Sequence, residues 1–247
     1  MVGGSKQYHG SPAFNAMAAL RAGVDLVTVL APERAANIIA TFSPDLIVYP
    51  LEGEYLGRRH LKTMLEFSKK KTAVVIGGGL TRNKETLSAV RIFLKKTTIP
   101  CVIDADAIYA IDGKISRKMF LLTPHAGEFY ALTGKKVATN INQRKNAVMK
   151  EAKRFGIAML LKGHIDIISD GTKTALNNTG NAYMTKGGTG DVLAGICGSL
   201  IAQGNSIFDS ACAAAYICGR AGDLAAKEKK QSLLASDLIE KIADAVS

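Results

Sequence analysis

Lys186-Gly187-Gly188-Thr189-Gly190-Asp191 is followed at once by Val192-Leu193-Ala194-Gly195-Ile196. A glycine-rich turn that runs straight into an apolar helix brings free N–H groups to the helix N-terminus, here together with one carboxylate. The combination is an anion pocket with an acid at its lip. Phosphoryl transfer needs both parts: donors that hold the moving phosphate, and an acid that aligns the attacking hydroxyl. Asp191 is therefore the candidate catalytic residue, with the Gly188, Thr189 and Gly190 amides facing phosphate oxygens. The positive helix end predicts a lowered pKa for Asp191. The same residues would also make an ordinary helix cap.

Working back from this turn, short apolar runs alternate with amphipathic segments. Strands are predicted at Met1–Gly3, Leu26–Leu30, Leu46–Tyr49, Ala73–Ile76, Val102–Asp104, Phe120–Leu122 and Met159–Leu161. Helices are predicted near 12–22, 33–41, 58–69, 84–96, 124–132 and 141–155. Such alternation implies right-handed βαβ units and a mainly parallel sheet. Asp170-Gly171, between 165–169 and 172–177, signals a hairpin late in the chain. Three helices follow, near 189–203, 206–226 and 235–245. No linker of low complexity interrupts the pattern, so residues 1–247 read as one domain.

Ligands of an open parallel sheet bind beyond the strand C-termini. The loops predicted there carry Gly3-Gly4-Ser5 and Gly10-Ser11-Pro12, Gly77-Gly78-Gly79, Asp104-Ala105-Asp106, Thr123-Pro124-His125-Ala126-Gly127-Glu128 and Lys162-Gly163. Asp104 and Asp106 straddle a strand end and suit Mg²⁺ held through water, or the capping of a short helix. His125 and Glu128 open a helix, where Glu128 would also balance the dipole. Lys162 follows an apolar strand and could reach a nucleotide phosphate. Asn177, Asn178 and Asn181 approach the glycine turn. The small residues of 206–226 predict close helix–sheet packing. Neither a Walker A sequence nor GxGxxG occurs, since Arg82 stands where the third glycine should be.

Composition narrows the partners. A net charge of +11 raises the possibility of a nucleic-acid surface, but the lysine clusters are short, scattered and free of aromatic interleaving. A solvated surface that draws small polyanions such as nucleotides fits better. No apolar run of about eighteen residues predicts a membrane span, and no signal segment opens the chain, so a cytoplasmic location is expected. Cys101, Cys197, Cys212 and Cys218 form no CxxC and read as buried thiols.

Seven stretches taken in order resemble the ADP/ATP-dependent NAD(P)H-hydrate dehydratases, a branch of the ribokinase-like superfamily. They are GSKQYHGSPAFNAMAALRAGVDLVTV, FSPDLIVYPL, VIGGGL, VIDADAI, LLTPHAGEF, LLKGHIDIISDG and NTGNAYMTKGGTGDVLAG. GGTGD fits the wider superfamily; the early glycine-rich segment, DADA and TPHxGE together are more specific. The chain differs mildly at Ser11, at Gly77-Gly78-Gly79 and at Asn177-Asn178, where many members have Ala, Gly-Pro-Gly and Asn-Pro. Relatives usually carry more residues before the first strand, and often a fused epimerase domain. The resemblance implies a three-layer αβα sandwich and a repair reaction. In that reaction NADH or NADPH hydrated on the nicotinamide ring is phosphorylated on its hydroxyl by ADP or ATP, and phosphate is then eliminated. It implies Asp191 as catalytic residue, facing substrate with Ser11, Gly79, His125 and Glu128. It assigns the nucleotide to Lys162, Gly163, Asp166, Asn181, Thr185, Lys186, Gly187, Gly188, Thr189 and Gly190, and suggests a homo-oligomer. A small-molecule kinase of the same superfamily, of hydroxyethylthiazole or hydroxymethylpyrimidine type, fits GGTGD equally well.

Overall fold

The computed structural model describes residues 1–113, 115 and 117–246. Helix α1 (Gly10–Arg21) comes first, then β1 (Thr28–Pro32), α2 (Glu33–Ile39), β2 (Ile47–Leu51), α3 (Leu61–Ser68), β3 (Val74–Ile76), α4 (Lys84–Lys96) and β4 (Cys101–Ile103). A 3-10 turn over Ala105–Ala110 leads to β5 (Phe120–Leu122), α5 (Ala126–Thr133), α6 (Ile141–Phe155) and β6 (Ala158–Leu161). The chain ends with β7 (Asp166–Ser169), β8 (Thr174–Asn177), α7 (Thr189–Ala202), α8 (Ile207–Lys229), α9 (Ala235–Glu240) and α10 (Ile242–Val246).

Strands β3-β4-β5-β6-β7-β8 form one run in that spatial order, and β1-β2 form a second. Pairing is parallel from β3 to β6 and antiparallel from β6 through β8. The predicted first strand is reduced to one residue with a joining role: Val2 bridges Leu30 and Ile76 at once. Its amide donates to the Val75 carbonyl at 2.8 Å, and its carbonyl accepts from Gly77 at 3.2 Å. The two runs thereby become one mainly parallel sheet.

Helices cover both faces, which explains why the central strands are continuous apolar runs. The side chains alternate as the pleat requires. Val74, Ile76, Cys101, Ile103, Phe120, Leu122, Met159 and Leu161 enter one core with Phe93 of α4 and Val148 of α6. Val75, Val102, Leu121, Ala158 and Leu160 enter the other with Val192, Ile196, Ala211 and Ala214 of α7 and α8. A third cluster joins α1, β1 and α2. The result is the expected three-layer αβα sandwich with a late hairpin. Three cysteines are buried, Cys212 is half-buried, and all four are free. No helix among the described residues is long and apolar enough to cross a membrane.

Local differences from expectation have local causes. Helix α1 begins at Gly10, so Pro12 sits in the first turn rather than at its first position. The single helix predicted over 235–245 divides between α9 and α10 at Lys241. The hairpin turn spans 170–173: Asp170 Oδ1 accepts from the amides of Thr172 and Lys173 at 2.8 and 2.9 Å, while Gly171 takes φ +90°.

Candidate active site

The glycine turn is built as its sequence requires. Gly188 caps α7 with φ +96°. A Cβ there would stand 2.7 Å from the Phe14 ring and 2.9 Å from Ala235 Cβ, so both backbone and space demand glycine. The Thr189 hydroxyl donates toward the carbonyls of Met184 and Lys186, each at 3.0 Å, and ties the turn to the chain before it. Residues 188–190 then hold first-turn amides that have no acceptor inside the helix.

Asp191 stands on the far side of this turn, against α1. The buried Asn15 donates from Nδ2 to the Asp191 carbonyl at 2.7 Å, and the Ser11 hydroxyl hydrogen-bonds its carboxylate. Ser11 and Asn15 are one helical turn apart and share a face of α1. Gly78 leaves room for the carboxylate: a Cβ at that position would lie 2.7 Å from Asp191 Oδ1 and 2.8 Å from Ser11 Cβ. Gly79, with φ +70°, abuts Tyr8 in the same loop.

Charge converges behind Asp191. Asp104 is buried at the end of β4; its Oδ1 accepts from Thr123 Oγ1 at 2.7 Å and from Lys162 Nζ at 2.8 Å. Lys162 is mostly buried, and its own amide donates to Pro124 at 2.9 Å. One ammonium therefore serves three neighbouring carboxylates: Asp104, Glu128 and Asp191. Burial pushes Lys162 down, yet Asp104 and Glu128 hold it above its ordinary value. Burial, with Asp104 adding to it, raises Glu128 against the pull of Lys162. Burial, then Asp104, raises Asp191 from 3.8 to about 7, with Ser11 and Lys162 opposing. The lowered value expected from the helix dipole is thus corrected: desolvation and a second carboxylate outweigh the dipole.

Asp104 and Asp106 hold different partners. Asp106 accepts from the Thr81 amide at 2.9 Å and from Arg82 Nε at 2.8 Å, so its two oxygens serve the loop after β3. His125 and Glu128 form a capping box on α5. Here His125 Nδ1 accepts from Gly127 at 2.9 Å, and Glu128 Oε2 accepts from the His125 amide at 2.8 Å. An accepting Nδ1 leaves the proton of the neutral ring on Nε2, 3.4 Å from Glu128 Oε1.

A cleft of about 710 Å³ opens on the other side of the α7 N-terminus. Of the expected nucleotide residues, Lys162, Gly163, Asp166, Asn181, Thr185, Lys186, Thr189 and Gly190 line it, as does His125. Gly187 and Gly188 are not among its lining residues; Gly188 packs against Phe14 instead. Asp166 shapes the β6–β7 turn, accepting from Gly163 N at 2.9 Å and from Asn177 Nδ2 at 3.0 Å, and burial raises its pKa. Lys186 reaches away, donating to the Gln231 carbonyl at 2.9 Å.

Two contributors escape a reading of the sequence, Asn15 and Asp223, and the seat that Gly78 gives Asp191 appears only in the fold. Asp223 of α8 accepts from the Gly180 amide at 3.1 Å and from Asn181 Nδ2 at 3.0 Å, clamping the cleft loop. The small residues of α8 do more than approach the sheet. A Cβ on Gly219 would strike Thr179, and one on Gly222 would strike Met184, so the loop lies flat on the helix. A second cavity, about 480 Å³, borders Met1, Thr28 and Ala73 at the opposite sheet edge, with Asp25 and Lys70 exposed at it.

Known proteins resemble this chain along nearly its whole length. The family model described as NAD(P)H-hydrate dehydratase matches residues 1–244. A bifunctional NAD(P)H-hydrate repair enzyme Nnr of Pyrobaculum aerophilum is 41% identical over 98% of this chain and 49% of its own length. The chain thus spans about half the length of the first curated relatives it matches. An ADP-dependent (S)-NAD(P)H-hydrate dehydratase of Cenarchaeum symbiosum is 40% identical over 97% of this chain and 85% of its own. The crystal structure of an ADP/ATP-dependent NAD(P)H-hydrate dehydratase from Bacillus subtilis, co-crystallized with ATP/Mg²⁺, superposes with a TM-score of 0.83. It is 23% identical and covers 99% of this chain and 87% of its own. At that identity the likeness speaks for the ribokinase-like fold. The match along nearly every residue, and the two curated relatives, settle the affiliation: the chain belongs to the NAD(P)H-hydrate dehydratase family.

Proposed function

We propose that the protein dehydrates hydrated NADH or NADPH with ADP or ATP as phosphate donor. The observation that carries this reading is the position of Asp191: a carboxylate raised to about 7 beside a row of first-turn amides, with Lys162 behind it. The donor nucleotide lies in the 710 Å³ cleft with its terminal phosphate on the Thr189 and Gly190 amides. The ring hydroxyl meets it from the Ser11 side.

In this scheme Asp191 accepts the hydroxyl proton while that oxygen bonds to the terminal phosphorus. The bond from phosphorus to the donor's bridging oxygen breaks, and the nucleotide leaves. The phosphate then departs with the C–O electron pair, and a proton lost from the neighbouring ring carbon restores the double bond. A carboxylate near 7 is better matched to the hydroxyl proton than one near 4.

Mg²⁺ fits in one manner. Among the described residues no group of three or more His, Cys, Asp or Glu is arranged to hold a metal. A magnesium ion carried on nucleotide phosphates and water needs no such cage. Asp104 would reach it through water, because its Oδ1 is taken by Thr123 and Lys162. The ion's contribution is to neutralise developing phosphate charge.

The test is incubation of the purified chain with hydrated NADH or NADPH and each nucleotide in turn. Return of NADH-like absorbance, with release of inorganic phosphate, is expected. A stable phosphorylated product would make the protein a kinase instead, and no turnover with either nucleotide would overturn the reading.

A further inference from the structure

Arg82 is held in an uncommon setting. The loop after β3 places Thr81 at φ +70°, a left-handed conformation that a β-branched residue seldom adopts. Asp106 secures it there: Oδ2 accepts from the Thr81 amide at 2.9 Å, and Oδ1 accepts from Arg82 Nε at 2.8 Å. The guanidinium carbon then lies 3.9 Å from the centre of the Tyr109 ring. A flexible cation is thereby fixed at both an edge and a face, while 56% of its side chain remains exposed. Nε is one of five N–H donors, and the other four remain for a ligand.

The position of this guanidinium indicates which ligand. Gly78, four residues earlier, abuts Asp191 Oδ1, and those four residues reach at most about 14 Å. Arg82 also lies within electrostatic reach of Glu128. It is not among the residues that line the donor cleft. Arg82 thus lies outside the donor cleft, on the loop that seats Asp191 and near Glu128, which puts it on the acceptor side. A planar fork with free donors is the chemistry that recognises phosphate oxygens.

We propose that Arg82, positioned by Asp106 and Tyr109, binds the diphosphate of the hydrated dinucleotide and so determines acceptor specificity. This rests on the functional reading above. Arg82→Ala should raise KM for hydrated NADH and hydrated NADPH alike, roughly ten- to a hundredfold. It should leave kcat and the KM for ADP within about twofold. Arg82→Lys, which keeps the charge and loses the fork, should fall between. Asp106→Asn, which leaves Arg82 in place but less firmly held, should raise the same KM by a smaller factor. Binding of reduced NADPH without nucleotide, followed by fluorescence titration, should weaken in step, while ADP binding by calorimetry should not. An active wild-type enzyme whose Arg82→Ala variant keeps its acceptor KM would overturn this inference alone. So would a loss confined to hydrated NADPH, which would put the 2′-phosphate at Arg82, or a variant that loses ADP binding along with acceptor binding. A wild-type enzyme inactive on both hydrated dinucleotides would overturn the functional reading and this inference with it.

Discussion

The two sides of the α7 N-terminus are made of different materials. The donor cleft sets backbone and small residues, Gly163, Thr189, Gly190 and a loop laid flat across Gly219 and Gly222, among longer side chains such as Lys162, Asp166 and Lys186. Amide groups and two carboxylates, Asp166 and Asp223, hold it in shape. The acid corner is dominated by charge: Asp104, Glu128, Lys162 and Asp191 act on one another electrostatically, and Asp191 is seated against Gly78. A surface of amides can accept a polyanion without reorganising. A knot of buried charge can tune a proton. Variants on each side should therefore fail differently: donor-side changes in nucleotide KM, acid-side changes in kcat and its pH dependence.

The largest separation is expected from Asp191→Asn. Single-turnover rates should fall roughly 10²- to 10⁴-fold while calorimetry still finds ADP bound. The same variant carries a stability signature. The Asp191 carboxyl titrates at 3.8 in its reference state and at about 7 in the fold. Between those values the folded protein binds the extra proton, so stability is lost as pH rises through that window. Asparagine removes the loss. Above pH 7 the variant should be more stable by roughly 1–3 kcal/mol, after allowance for partial exposure; at pH 4 melting temperatures should nearly coincide.

Gly78→Ala should come next. Its methyl would press on the Asp191 carboxylate and on Ser11, and a misplacement of that kind costs on the order of 10²-fold in kcat. Normal turnover in this variant would mean that the acid does not need its present seat. Gly219→Val tests the other side: the new side chain meets Thr179 and should raise nucleotide KM roughly tenfold, as overpacking penalties convert. A fall in kcat at unchanged nucleotide KM would break the division of labour. The subtlest effect belongs to Asp104→Asn. Asp104 raises Asp191, so its removal should move the acid limb of the kcat profile to lower pH, by less than about one unit. An alkaline shift would mean that loss of the Lys162 partner dominates.

The same contrast governs what could be read in advance. Val74–Ile76, Cys101–Ile103 and Phe120–Leu122 are fully buried, and apolar runs of that kind announce themselves. The glycine turn, Asp191 and Lys162 were legible because turn chemistry and strand ends are local signals. Asn15 was not, since its partner lies 176 residues away. The nearness of Asp104 and Asp106 is visible in the chain, but Arg82, 24 residues upstream of Asp106, is a partner that only the fold delivers. The Asp191 pKa went the wrong way for the same reason. A helix dipole can be inferred from neighbours in sequence, but desolvation and the nearness of Asp104 exist only once β4, β6 and α7 meet.

The late hairpin has a practical corollary. Because β7 and β8 run antiparallel to their neighbours, the chain returns to the catalytic edge without a crossover helix. Residues 162–165 and 178–188 therefore both emerge there, while the 170–173 turn points to the far edge. Its exposed residues, Thr172 and Lys173, and not the buried Gly171, are where a fluorophore or an affinity peptide can be attached at the end of the sheet away from the chemistry.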